Sequence, residues 1–496
     1  MNVYSIIADI GTGAVKAECY SKDGNRMCQG IAGYPSGSGG RDEINPEVWF
    51  DAFARAVREL GMCADLRTAE YLVLTGQMQD LILVSEGRAI RDSILYFGHR
   101  SGPGFEGFLN TLGPERIAEL TKNTPDQAGF PAKLFWLEEN EAEVLKKAEK
   151  LLCGAHDYIA YRLTGVCCTD PTTASTTGLM NPAAGTWAEE IIRSVPRGTD
   201  LVPEIRPGNH EDGKVAAEMA AALGISPDIK LIHGVGDVGS STISMENAGF
   251  RRSCYLGTSG WVLDTGPLNN PGDPFSGVFN LRHPTEEKLI RVAPLLTAAG
   301  SFDWLLGILE PNGAGHNILF QELSSETAGM SPDECRLIFL PYLSGERSPF
   351  KDPDASGMFM GLTRDTGRKE LFRAVEEGLA LSLRSVLESL NRGTADGEAP
   401  DRQDPLIIAG GGASITGLSQ IIADAARVPV AVANDARYSG TGALLSIVPG
   451  GMIPEQGSEE TIEPASNQDV YAKKYELFRD AYKQTKELMH ALKEIQ

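Results

Sequence analysis

Apolar and polar positions alternate from the start of the chain. Ser5-Ile-Ile-Ala-Asp-Ile10, then Val15, Ala17 and Cys19 at every second position, predict two strands joined by a turn through Gly11, Thr12 and Gly13. Residues 71–74 and 81–84 read as strands flanking Thr75-Gly-Gln-Met-Gln-Asp80, and residues 131–152, rich in Leu, Glu and Lys, read as helix. After Gly367, Leu371, Val375, Leu379, Leu383, Leu387 and Leu390 recur at helical spacing, which predicts a long helix with one buried face. Residues 471–495 read as a charged amphipathic packing helix, and residues 391–405, rich in Gly, Asp and Pro, as a loop. Strands alternating with helices predict an α/β architecture.

The opening turn has an echo. Cys254-Tyr-Leu-Gly-Thr-Ser-Gly-Trp-Val262 again places Gly-Thr-small-Gly between two short apolar strands, near the middle of the chain. A tight hairpin needs glycine for steric reasons alone. Two such turns, one opening each half, point to a duplicated fold whose hairpins face a shared cleft. Backbone N–H groups in such turns form anion-binding concavities, and a missing Cβ lets phosphate oxygens come close. Lys16 would add positive charge, and Asp9 would hold hydrated Mg²⁺ rather than phosphate.

Two further stretches carry chemistry. Leu231-Ile-His-Gly-Val-Gly-Asp-Val-Gly239 delivers Asp237 at the end of an apolar strand, where it either caps the next helix or serves as a base near a sugar hydroxyl. Leu406-Ile-Ile-Ala-Gly-Gly-Gly-Ala-Ser414 runs a strand into three glycines, which suit either a planar base lying on backbone or close packing of the turn. His233 reads as a hydrogen-bonded core residue. There is no G-x-x-x-x-G-K-[ST], and Gly102-Pro-Gly-Phe-Glu-Gly107 follows no strand and reads as a loop.

Composition narrows the partners. The 496 residues are 42% hydrophobic and 23% charged, which fits a globular chain of two domains or more. A formal charge of -22 argues against nucleic acid or an anionic membrane as partner. No run approaches the ~20 apolar residues of a membrane span. The eight cysteines form no C-x-x-C pair and have no histidine at zinc spacing, so they read as free thiols in a reducing, cytoplasmic compartment.

The chain resembles the FGGY family of carbohydrate kinases, most closely its xylulokinase-like members. Besides the three sites above, the resemblance rests on Gly76-Gln-Met78, Asp157-Tyr158 with Leu163-Thr-Gly165, Thr169-Asp170 with Ala174-Ser175, Phe339-Leu-Pro-Tyr-Leu-Ser-Gly-Glu-Arg-Ser-Pro349, and Gly357-Met-Phe-Met-Gly-Leu362 leading to Arg373-Ala-Val375. It implies two ribonuclease-H-like, actin/hexokinase-type ATPase domains flanking a central cleft, residues 1–247 and 248–496. The implied reaction is phosphorylation of a sugar hydroxyl by Mg-ATP, on a ketopentose such as D-xylulose or on another ketose, polyol or sugar acid. A non-catalytic ATP-driven sensor on the same scaffold is the remaining reading.

By that resemblance Asp237 is the catalytic base, and Asp9, Gly11, Thr12, Gly13 and Lys16 form the first phosphate site. Gly257, Thr258 and Ser259 form the second, Gly300 lies near the nucleotide, and Gly410, Gly411, Gly412 and Ala413 form the adenosine site. Mg²⁺ falls to Asp9 and Asp237, and the sugar to Gln77, Met78, Gln79 and Asp237. The partner is a small-molecule sugar, with no nucleic acid or membrane, and a homodimer is left open. The departures cluster where substrate is chosen. Gln79-Asp80 replaces His-Gly, Tyr96-Phe97-Gly98 replaces Trp-Asn-Asp ahead of His99-Arg100, and Val238 follows Asp237 where the family often has Asn. Arg437 stands near where many relatives have an acidic residue.

Overall fold

The computed structural model describes residues 2–37, 42–98, 101–311, 313, 315–391, 404–433, 442–450, 461–465 and 467–495, so His99, Arg100, Arg437 and most of the loop expected at 391–405 lie outside the described residues. Two sheets are built on one plan. In the first, Ser5–Ile10 pairs antiparallel with Ala14–Tyr20, which pairs antiparallel with Arg26–Gly33. On its other side Ser5–Ile10 runs parallel to Tyr71–Gly76, which runs parallel to Lys230–Gly236, and Glu211–Lys214 closes that edge. In the second, Arg252–Leu256 pairs antiparallel with Gly260–Pro267, which pairs antiparallel with Lys288–Leu295. It runs parallel to Leu406–Ala409, and Val430–Val432 follows in parallel. The central five strands of both sheets therefore share order and direction, which is the ribonuclease-H-like arrangement, present twice. The duplication implied by two Gly-Thr turns is real, and the fold is α/β as expected.

Alternation along each strand sends successive side chains to opposite faces. Ile6, Ala8 and Ile10 join the core under helix Pro46–Leu60, whereas Ile7 joins Leu444, Leu445 and Val448 on the other face. That helix starts where Asn45 Oδ1 accepts the Glu47 N–H at 3.0 Å and Pro46 occupies the first turn, where a missing N–H costs nothing. Trp49, Ala52, Phe53, Ala56, Val57 and Leu60 form its buried face. In the second half the long helix is Arg368–Asn391, and Leu379, Leu383 and Leu387 pack with Tyr471, Tyr475 and Phe478 of the C-terminal helix Gln468–Lys493 in one core.

Three expectations are corrected. Residues 102–107 are not a loop but the start of helix Gly102–Leu112. A Cβ on Gly104 would stand 2.4 Å from Ala132 O and 2.9 Å from Trp136 N, so glycine permits a close crossing with helix Phe130–Asn140. The single helix expected over 131–152 is two, Phe130–Asn140 and Ala142–Lys147, followed by strand Lys150–Gly154, which pairs with Met78–Ser85. Its Leu151, Leu152 and Cys153 are buried, and an apolar run of that length reads the same in a helix or a central strand. The cysteines are not all free: Cys28 and Cys63 form a disulfide, a pairing that a separation of 35 residues does not announce. Among the described residues no helix is long and apolar enough to cross a membrane.

Candidate active site

Asp237 stands where strand Lys230–Gly236 turns into helix Asp237–Asn247. Its Oδ1 accepts the Val238 N–H at 2.7 Å. It lines a cavity of about 590 Å³ together with Ser253, Tyr255, Ala409, Gly410 and Gly411, so both halves of the chain form the walls. The carboxylate is open to the cleft, yet protein surrounds it on its other sides. This burial is the main reason its carboxyl is pushed up to about 6, with the negative charge of Asp9 adding and the Val238 N–H opposing. A larger cavity of about 1080 Å³, lined by Glu246, His283 and Lys288 among others, contains none of the residues singled out from the sequence.

The first hairpin sets Asp9 directly across from Lys16. Burial raises the Asp9 carboxyl above its usual value, Lys16 pulls it down and Glu18 pushes it up. The Lys16 ammonium itself pairs with Glu18 Oε1 at 3.1 Å, so in this structure its charge is directed along its own strand. Gly11 N donates to Ala14 O at 3.0 Å, closing the turn, and the Tyr34 hydroxyl donates to Gly11 O at 2.6 Å. Thr12 and Gly13 are exposed, and a Cβ on Gly13 would meet nothing within 4 Å. Packing therefore does not demand glycine there, which leaves an open backbone.

At the second hairpin the structure gathers three separate stretches. Ala298 N and Gly300 N donate to Thr258 O at 2.9 and 3.1 Å, and Ala299 N donates to Gly257 O at 2.9 Å. A Cβ on Gly300 would lie 2.8 Å from Thr258 O, so this glycine lets helix Gly300–Leu309 begin against the turn. Gly410 takes φ +90°, and a Cβ there would lie 2.8 Å from Leu256 O. Gly412 packs on Leu256 Cβ, and Ala413 is buried. Gly411 differs: a Cβ on it would meet nothing within 4 Å, and it faces the cavity. Gly257, Thr258, Gly300 and the 410–412 glycines thus form one cluster around the end of strand Arg252–Leu256.

The substrate segment is held mostly through its backbone. Gln77 is buried, its N–H donating to Ile10 O at 3.0 Å and its carbonyl accepting the Ala155 N–H at 3.2 Å. Met78 packs against Gly236, where a Cβ would stand 2.1 Å from the Met78 sulfur, so it abuts the residue preceding Asp237. Gln79 adopts φ +64°, and its carbonyl accepts from Lys133 Nζ at 3.1 Å.

Two residues here escaped the sequence reading as candidates: Asp80 and Lys133, both fully buried. Lys133 Nζ also donates to Ile94 O at 3.3 Å and Leu95 O at 3.0 Å, and the Tyr96 N–H donates to Asp80 Oδ1 at 3.3 Å. Burial pushes the Asp80 carboxyl up to about 7; Lys133 and the Gln77 amide hold it down, and Asp237 adds to the rise. Tyr96 and Phe97 stand partly exposed in edge-to-face contact at 4.8 Å. Tyr34 is the third residue missed, and nothing in its sequence surroundings marks it. For Asp80 the signal was its place beside Gln79, while Lys133 sits inside a helix and announces nothing.

Comparison with known proteins fits this geometry. Residues 4–244 match the N-terminal domain model of the FGGY family of carbohydrate kinases and residues 253–446 the C-terminal domain model. A xylulose kinase of Bacillus subtilis is 26% identical over 510 residues, covering 99% of each chain. Among solved structures, a xyloylose kinase from Brucella ovis is 25% identical with a TM-score of 0.84, covering 97% of this chain and 99% of that one. A gluconate kinase from Lactobacillus acidophilus is also 25% identical, with a TM-score of 0.82, covering 97% of this chain and 98% of that one. With two family models spanning most of its length and a cleft lined from both halves, the chain belongs to the FGGY family of carbohydrate kinases and is a sugar kinase.

Proposed function

We propose that this kinase transfers the terminal phosphoryl group of ATP to a hydroxyl of a ketopentose such as D-xylulose, in the cytoplasm, with Asp237 as general base. The observation that carries the reading is the position of Asp237 on the wall that the two halves share with Gly410 and Gly411. A carboxylate with a value near 6 is ionised at neutral pH yet basic enough to take the proton of a hydroxyl as it attacks. The open backbone at Thr12 and Gly13, and the turn at Gly257, Thr258 and Ser259, supply N–H donors suited to phosphate. The cluster from Gly410 to Ala413 would hold the adenosine.

Asp9 and Asp237 fit a divalent cation, since each carboxyl is raised by burial and Asp9 raises Asp237 further. Mg²⁺ bound there would neutralise phosphate charge and orient it. Asp9 and Asp237 would hold it, Met78 would fix the wall beside Asp237, and closure of the two halves would exclude water that otherwise competes as acceptor.

One second reading has its own support. Asp80 behind Gln79, and the aromatic pair Tyr96 and Phe97, change the polar groups near Asp237, and a gluconate kinase shares the architecture. The substrate would then be another ketose, a polyol or a sugar acid. Calorimetric titration of the full chain with D-xylulose, glycerol and D-gluconate separates the two. Binding of D-xylulose alone supports the ketopentose, and binding of another of the three with none of D-xylulose replaces it.

Two further results are expected. The kcat/KM for sugar should rise with pH through about 6 and level off above it, because the base acts in its ionised form; a profile flat from pH 5 to 8 would remove Asp237 from that role. Gly411→Ala, which meets no protein atom, should leave the melting temperature unchanged and raise the KM for ATP. An unchanged KM would remove Gly411 from the nucleotide site.

A further inference from the structure

Away from the cleft, at the edge of the first sheet, three strands bring together side chains that no linear motif connects. Cys168 lies in strand Cys168–Thr169, Asp212 in Glu211–Lys214 and His233 in Lys230–Gly236. All three are buried. Cys168 Sγ is 3.2 Å from His233 Nδ1 and 3.4 and 3.5 Å from the two Asp212 oxygens, and His233 Nδ1 is 2.7 Å from Asp212 Oδ2. His210 flanks the cluster on its solvent side, its Nδ1 3.1 Å from Asp212 Oδ1, and its side chain is 42% exposed, which leaves a way in from solvent.

We propose that Cys168 Sγ, His233 Nδ1 and the Asp212 carboxylate form a site for one thiophilic divalent cation of the zinc class, with the fourth position left to solvent on the His210 side. Bonds of about 2.0–2.3 Å in a tetrahedron place neighbouring donors roughly 3.3–3.6 Å apart, so Cys168, Asp212 and His233 need only small shifts to close on a cation. Thiolate and imidazole together favour zinc over magnesium. The surroundings complete the pattern. A ligating histidine ordinarily turns its other ring nitrogen to a carboxylate, and His233 Nε2, which makes no hydrogen bond among the described residues, lies 3.3 Å from Asp157 Oδ1, within reach of such a turn. Asp157 is itself fixed, its Oδ2 accepting the Cys153 N–H at 3.1 Å.

Arg206 competes for the same charge, with Nη1 3.4 Å from Asp212 Oδ1, but its Nη2 is bonded to Glu204 Oε2 at 2.7 Å, which can keep the guanidinium when Asp212 turns to a cation. The site is distinct from the Asp9 and Asp237 carboxylates and would tie strand Lys230–Gly236, whose end leads to Asp237, to strands Cys168–Thr169 and Glu211–Lys214. It is a structural site that no step of phosphoryl transfer uses.

The test uses the full chain, stripped with chelator and titrated with Co²⁺. One equivalent should produce a thiolate-to-cobalt charge-transfer band, which Co²⁺ at the carboxylates of the cleft cannot give. The band should vanish in Cys168→Ser and persist in Cys167→Ser. Asp157→Asn, which leaves every ligand in place, should weaken cobalt binding about 10–100-fold. Zn²⁺ should raise the melting temperature of the parent and of Cys167→Ser. No thiolate band in the parent at one equivalent, or a band that survives in Cys168→Ser, would overturn the proposal.

Discussion

Asp237→Ala should lower kcat by at least about 100-fold and up to about 10⁴-fold, the range a positioned general base contributes. The change should fall on turnover with ATP affinity largely kept, because Gly410, Gly411 and Gly412 are placed by strand Arg252–Leu256 and not by Asp237. Loss of fold is not the expected cause. The Asp237 carboxyl is raised by burial, so its ionised form is disfavoured in the folded chain, and that cost sets in as pH rises from about 4 through about 6. Removing the charge therefore relieves the fold at neutral pH, and the melting temperature of Asp237→Asn should not drop. Turnover within threefold of the parent would show that another group takes the proton.

The second large effect is on stability. Lys133→Met should cost about 3–5 kcal/mol at pH 8, as removal of a buried charged donor does, and no more than about 1.4 kcal/mol of this comes from the titration of Asp80. It leaves Asp80 fully buried without its cation and takes a donor from the carbonyls of Gln79, Ile94 and Leu95. The pH dependence follows from the raised value near 7. An acid that is raised on folding binds its proton more readily in the folded chain, so stability falls as pH rises from about 4 to about 7. Without Lys133 the carboxyl rises further and the loss extends to higher pH. The gap between variant and parent should therefore be about 1 kcal/mol wider at pH 8 than at pH 5, where Asp80 carries a proton in both and only the lost carbonyl bonds remain. Adding Asp80→Asn should remove this extra loss at pH 8 and leave the part that belongs to the carbonyl bonds. Equal losses at pH 5 and 8 in chemical denaturation, with no recovery in the double variant, would contradict the pairing.

These two residues mark how far the sequence could be read. Asp237 was legible because an apolar strand ending in Gly236 leaves its next residue at the carboxyl end of the sheet, and the Gly-Thr turns were legible because period-two alternation stops at glycine. Lys133 was hidden: it lies within a helical pattern, and only the packing of helix Phe130–Asn140 against strand Met78–Ser85 brings it to Asp80. The same helix explains why residues 102–107 misled, since Gly104 serves a close crossing that mimics loop composition. Strand Lys150–Gly154 was lost for the opposite reason, because an apolar run buried in a sheet carries no alternation to separate it from helix. Tyr34, bonded to Gly11 O, is placed by strand register, and Cys28 meets Cys63 because the turn after helix Pro46–Leu60 packs on strand Arg26–Gly33; local composition encodes neither.

Phosphoryl transfer from ATP to a sugar in the cleft bearing Asp237 can be observed directly. Its most direct test is ADP formation by the full chain with Mg-ATP, in the presence and absence of D-xylulose, with mass detection of the sugar product. ADP and a singly phosphorylated pentulose are expected in equal amounts, with ADP formation far slower when sugar is left out. ADP formed at the same rate with and without sugar, and no phosphorylated sugar, would contradict it.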